Sequence, residues 1–72
     1  RANYKQAIVD YCLEAGMKNL LEADFIVEAN DQFHLLSEKI KNREGKLNSQ
    51  RILFEFKEWL QKEIKKRKSN IE

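Results

Sequence analysis

The stretch Asn48–Lys68, NSQRILFEFKEWLQKEIKKRK, decides how this chain folds. Placed on a wheel at about 100° per residue, Ile52, Leu53, Phe56, Trp59, Leu60 and Ile64 fall within an arc of roughly 140°. That arc is the face of a helix that buries itself against other elements. Asn48 is a good N-cap, because its amide oxygen can accept from a free backbone N–H of the first turn, and Leu47 before it can staple onto Ile52. The spacing predicts an unbroken helix to about Lys68. Outside the arc, Phe54, Lys57, Gln61, Lys65 and Lys68 form a second stripe at steps of three, four, four and three.

Upstream of this helix the signals are shorter but of the same kind. The chain has no proline, and its two glycines, Gly16 and Gly45, stand where helices would end. A first helix is predicted from Asn3 as N-cap, with Gln6 in the capping-box position, to Gly16 as the residue after the helix. Its apolar stripe is Tyr4, Ile8, Tyr11 and Ala15. Between Met17 and Ala29 the pattern is mixed: Leu20 and Leu21 fit a helical turn, and Phe25-Ile26-Val27 fits a helix or a short extended run. Helix is the reading adopted for this segment. Asn30 or Asp31 can cap a further helix that carries Phe33, Leu36 and Ile40 and stops near Gly45.

A chain of 72 residues makes at most one domain, spanning residues 1–72, and buries only about 60% of the surface its unfolded form exposes. Domains this small usually need a staple. Cys12 is the only cysteine, so an internal disulfide is excluded. With His34 as the only histidine, the four ligands of a structural zinc site are not supplied by Cys and His. No metal or cofactor is expected. The remaining staple is a second copy of the chain, and a homodimer is expected. The free thiol behaves as a small hydrophobe and fits a reduced, cytoplasmic setting.

Other classes are excluded by pattern. No window of about 18 uninterrupted apolar residues exists, since the richest, Leu20–Val27, is interrupted by Glu22 and Asp24. The start, Arg1-Ala2-Asn3-Tyr4, leads into an amphipathic pattern and not into the apolar run of a signal peptide. Because the first residue is not Met, the chain is expected to be a piece of something longer. A glycine-rich phosphate loop, a nucleophile elbow and a Ser/His/Asp set are all missing, and the carboxylates are scattered singly among lysines. Catalysis and a small-molecule substrate are therefore not expected.

Net charge is +2, and it conceals an asymmetry. Arg1–Gly45 carries six basic and eight acidic residues, and Lys46–Glu72 carries eight basic and four acidic. A −2 segment is thus followed by a +4 segment, which points to a polyanion or an anionic surface as partner of the last third. Lys57, Lys62, Lys65, Lys66, Arg67 and Lys68 can follow a nucleic-acid backbone and release counterions, with Arg43, Lys46 and Arg51 adding charge from the preceding loop and helix start. Gln61 lies in the same stripe. Phe54, off the core arc, can stack on a base or pack on a second subunit. Two further readings use the same residues. In one, the chain is a helical protein-interaction or regulatory module whose basic face is merely solvated. In the other, the last helix lies on anionic lipid.

The run Trp59-Leu60-Gln61-Lys62-Glu63-Ile64-Lys65-Lys66-Arg67-Lys68 resembles the third helix of a homeodomain, with Lys62 where homeodomains carry the Asn that reads adenine. In length, in its Lys/Asn/Ile-rich character, and in a single Trp at the start of the last basic run, the whole chain also resembles the C-terminal domains of membrane-anchored early proteins that organise DNA replication in protein-primed Bacillus phages. That resemblance implies an all-α, homeodomain-like fold of three to four short helices that dimerises and multimerises. It further implies non-specific binding of single- and double-stranded DNA, and a membrane anchor and coiled coil upstream of this chain. The location implied is the host cytoplasm, at the inner face of the cell membrane where the anchor is present. Carried over to this sequence, it supports Trp59 and the basic positions Lys57 through Lys68. Phe54, Phe56, Trp59 and Leu60 are the residues expected at a dimer or multimer interface.

Overall fold

Three α-helices and one short 3₁₀ turn make up the computed structural model, which describes residues 4–71 and, within them, every side chain except those at 23, 70 and 71. Helix α1 spans Tyr4–Glu14, a 3₁₀ turn spans Lys18–Leu20, α2 spans Ala23–Glu44 and α3 spans Ser49–Ile71. The all-α expectation holds. At 22 and 23 residues, however, α2 and α3 are long, not short.

Both glycines end helices by adopting the left-handed conformation, which a side chain disfavours. At Gly16 (φ 71°) the Met17 N–H donates to the Cys12 carbonyl at 2.8 Å and the Gly16 N–H to that of Leu13 at 3.0 Å. This six-to-one, five-to-two pair is the Schellman motif, and Met17 and Cys12 are both buried beneath it. At Gly45 (φ 77°) a single bond from its N–H to the Lys41 carbonyl closes α2. Asn48 caps α3 as expected, its Oδ1 accepting from the Arg51 N–H at 3.1 Å, a contact of a kind that contributes about 1 kcal/mol. Leu47 remains 64% exposed, so the staple onto Ile52 is not closed. Asn3 lies outside the described residues. Gln6 donates one turn forward to Asp10 at 2.9 Å.

The expected helix start at Asn30 or Asp31 does not occur: α2 runs straight through both. Phe25, Ala29, Phe33, Leu36 and Ile40 share an arc of about 80°, so the apolar stripe stays in phase across the capping residues. Packing along that stripe overrides the local cap signal, since Phe25, Ala29, Leu36 and Ile40 are all buried. Asn30 finds another use for its side chain, accepting a hydrogen bond from the Tyr4 hydroxyl of α1.

Helices α2 and α3 form an antiparallel hairpin that stays in contact along its length. Near the turn Arg43 pairs with Glu55 at 3.0 Å, and at the far end Glu28 pairs with Arg67 at 2.9 Å. Between them Phe33 meets Phe56 edge-on at 5.3 Å, and Phe25 stacks on Trp59 at 6.3 Å. Helix α1 lies against both, parallel to α3. Its start stacks Tyr4 on Phe33 at 3.9 Å, and beyond its end the Lys68 ammonium donates to the Ala15 carbonyl at 3.3 Å. The core between the helices centres on Ile8, Cys12, Phe25, Ala29, Leu36, Phe56, Leu60 and Ile64. Burial pushes the Cys12 thiol above its ordinary pKa, so it stays protonated.

Candidate nucleic-acid interface

Helix α3 turns four of its core-arc residues fully inward: Ile52, Phe56, Leu60 and Ile64 are buried, with Leu53 and Trp59 half-buried beside them. The stripe of Phe54, Lys57, Gln61, Lys65 and Lys68 is therefore left on the outer surface, next to α1. Lys62 and Lys66 lie on the other flank. From Lys57 to Lys68 the stripe runs about 17 Å at 1.5 Å per residue, a length over which duplex DNA carries about ten phosphate charges.

Of the ten residues expected to bind nucleic acid, Gln61 is neutral and exposed, and the nine cations sort into two chemically distinct groups. Each described arginine is held by carboxylates of the chain itself. Arg43 pairs with Glu55 at 3.0 Å and Glu44 at 3.7 Å, and Arg51 pairs with the same Glu55 oxygen at 3.0 Å. Arg67 bridges Glu63 and Glu28 and lies 4.9 Å over the Phe25 ring. The lysines differ. Among the described residues, Lys57, Lys62, Lys65 and Lys66 are exposed and make no ion pair or hydrogen bond. Lys68 is exposed but tethered to the Ala15 carbonyl, where its charge complements the C-terminal end of α1. Lys46 is exposed in the turn.

Not all ten residues come together. Arg43, Lys46 and Arg51 sit at the hairpin turn, about 20 Å along α3 from Lys65. Arg67, expected among the nucleic-acid contacts, faces α2 and holds the two helices together. The cause is the register of the hairpin, which brings Glu28 and Phe25 to its guanidinium. What remains exposed and unpaired is lysine, Lys57 and Lys65 on the flank beside α1 and Lys62 and Lys66 on the other. A lysine is a compact point charge without the planar fork that reads a guanine edge, so these side chains favour phosphates over bases.

The interface residues sort in a similar way. Phe56 and Leu60 have no exposed surface, so they cannot meet a second chain while the fold stands, which corrects the expectation for both. They are buried because their arc faces α1 and α2 together. Trp59 is half-buried between Phe25 and Phe56 in a run of rings. Only Phe54, 52% exposed with the Arg51 guanidinium 5.5 Å from its centroid, is open to a partner.

Charge is divided between the hairpin's two helices, α3 carrying seven basic and three acidic residues and α2 three and five. At the turn, the hydrogen bond from Arg43, reinforced by its charge and that of Arg51, holds the Glu55 carboxyl below its ordinary value of 4.5. A lowered folded-state pKa stabilises the native chain fully above about pH 4.5, and that contribution is lost as pH falls through the lowered value. Thermal unfolding followed by circular dichroism should accordingly show the midpoint of the native chain dropping more steeply below pH 4.5 than that of Glu55→Gln. Parallel pH profiles would rule out a role for this pair.

The sequence reading missed one feature. Where α1 runs beside the second half of α3, a groove of about 460 Å³ opens between Tyr11, Glu14 and Ala15 on one side and Gln61, Ile64, Lys65 and Lys68 on the other. Only the parallel packing of α1 on α3 creates it, and no local pattern announces that packing. Among the described residues, no helix is long and apolar enough to cross a membrane, and no group of three or more His, Cys, Asp or Glu side chains is arranged to hold a metal ion. No protein-family profile, curated protein or solved structure matches the chain.

Proposed function

We propose that this chain is a non-enzymatic helical module that binds DNA, single- and double-stranded, through its phosphates and without reading sequence. The contacts are made by Lys57, Lys62, Lys65 and Lys66 of α3, with Gln61 beside them. The observation that carries this reading is that these four lysines are exposed and unpaired while every described arginine pairs with a carboxylate of the chain, Arg43 and Arg51 at the surface and Arg67 against α2. Each lysine that meets a phosphate releases condensed counterions, so affinity falls steeply as salt rises. Dimers or higher oligomers align several such rows and turn weak contacts into a strong one. Exposed Phe54 supports assembly of this kind. In the phage proteins that the chain resembles, the corresponding role would be to organise replicating DNA, with the membrane anchor supplied from outside residues 1–72.

A titration of duplex DNA of unrelated sequences over a range of salt concentrations tests the proposal. The expected result is equal affinity for each sequence and a log–log slope of about −4, near −0.9 per lysine contact. A flat slope, or no binding at low salt, would overturn it. A second reading, a protein-interaction module, is favoured by Leu13, Val27, Leu35, Leu47 and Phe54, each more than half exposed. It predicts that removing the lysines changes nothing while Phe54→Ala abolishes assembly.

A further inference from the structure

The groove between α1 and α3 adjoins the lysine row and has a different chemistry from it. Its apolar lining comes from the half-buried Tyr11 and Ala15 and from buried Ile64, and its rim carries Gln61, Lys65, Lys68 and Glu14. At about 460 Å³ it falls within the range of roughly 300–1,000 Å³ typical of small-ligand sites. An aromatic wall, an amide that both donates and accepts, and an unpaired ammonium at the α3 edge match a nucleobase still attached to its phosphate.

We infer that the groove takes one unstacked base of a single-stranded polynucleotide, and that the module therefore prefers single strands over duplex. This inference rests on the phosphate-contact reading above and adds a base site to it. Tyr11 supplies the stacking face and Gln61 hydrogen-bonds the base edge. Lys65 holds the flanking phosphate on the α3 side, and the Lys68 ammonium, on the Ala15 carbonyl, closes the end of the groove. Glu14, on the α1 side, repels phosphate there, so the strand has one favoured orientation across the groove. A paired base cannot enter without leaving its stack, whereas a single strand offers its bases freely. Because the wall contacts a ring face that every base has, and the Gln61 amide can donate to or accept from its edge, the site adds affinity with little sequence preference.

The test compares a short mixed-sequence oligodeoxynucleotide as a single strand and as a duplex at one salt concentration, together with the oligoribonucleotide of the same sequence. Expected is a single-strand preference of roughly tenfold, abolished in Tyr11→Leu and retained in Tyr11→Phe, which keeps the ring. Equal ribo and deoxy affinity assigns the site to the base, and a ribo preference adds a contact to the 2′-hydroxyl. As a readout independent of those variants, adenosine monophosphate should shift the Ala15 and Ile64 methyl resonances of the native chain, and inorganic phosphate should not. Equal affinity for single strand and duplex, with the salt slope intact, overturns the base site and leaves the phosphate reading standing. Absence of binding to either form overturns both.

Discussion

Replacing Lys62, Lys65 and Lys66 together by alanine is expected to lower the salt slope of DNA binding by about three and, at low salt, to weaken affinity by two to three orders of magnitude or so. The three side chains are exposed and make no ion pair among the described residues, so their loss leaves the core untouched. Alanine is also the better helix former, so helix content should be unchanged. Arg67→Ala is the informative contrast. It removes a charge from the same short run of sequence, yet its guanidinium lies between Glu28, Glu63 and the Phe25 ring. This substitution should lower thermal stability while leaving the salt slope near that of the native chain. If Arg67→Ala and the lysine variant instead alter binding alike, the division of labour between arginine and lysine is wrong.

Phe56→Ala has the largest expected effect on the fold. The ring has no exposed surface and touches Tyr4 at 6.0 Å, Phe33 at 5.3 Å and Trp59 at 6.0 Å between centroids, so it joins all three helices. Truncating a buried phenylalanine to alanine costs about 3–5 kcal/mol. A single core of this size rarely supplies more than about 3–5 kcal/mol in total. The variant should be largely unfolded at room temperature, with its far-ultraviolet circular dichroism reduced and the emission of Trp59, the only tryptophan, shifted to the red. Cooperative unfolding with a loss below about 1 kcal/mol would show that the ring run is not what joins the helices. Phe54→Ala, two residues away on the opposite face, removes a half-exposed ring and should change monomer stability little.

Helix type, both glycine stops, the Asn48 cap and the inward arc of α3 were all legible in the sequence, because each depends on residues within a turn or two of one another. Local signals failed where a distant partner competed with them. Asn30 and Asp31 have the chemistry of a helix start, but the buried stripe of Phe25, Ala29, Leu36 and Ile40 carries α2 through them, and the Tyr4 hydroxyl satisfies Asn30. Within the candidate site, the basic run was visible as composition, and the same 100° wheel sets Arg67 inside the inward arc and the lysines outside it, but the carboxylates that hold Arg67 were not visible.

What the sequence by itself determined is therefore the class of fold, the faces of its helices and the placing of positive charge on the last of them. Only the tertiary structure decided which cations are available to a partner. Glu28 and Arg67 are 39 residues apart and meet because of the antiparallel register of α2 on α3. That register is set by the fit of Phe25, Phe33, Phe56 and Trp59 against one another. An ion pair depends on distances of a few ångströms, which helical periodicity does not encode. Packing therefore committed Arg67 to the fold and left its neighbours Lys65 and Lys66 free.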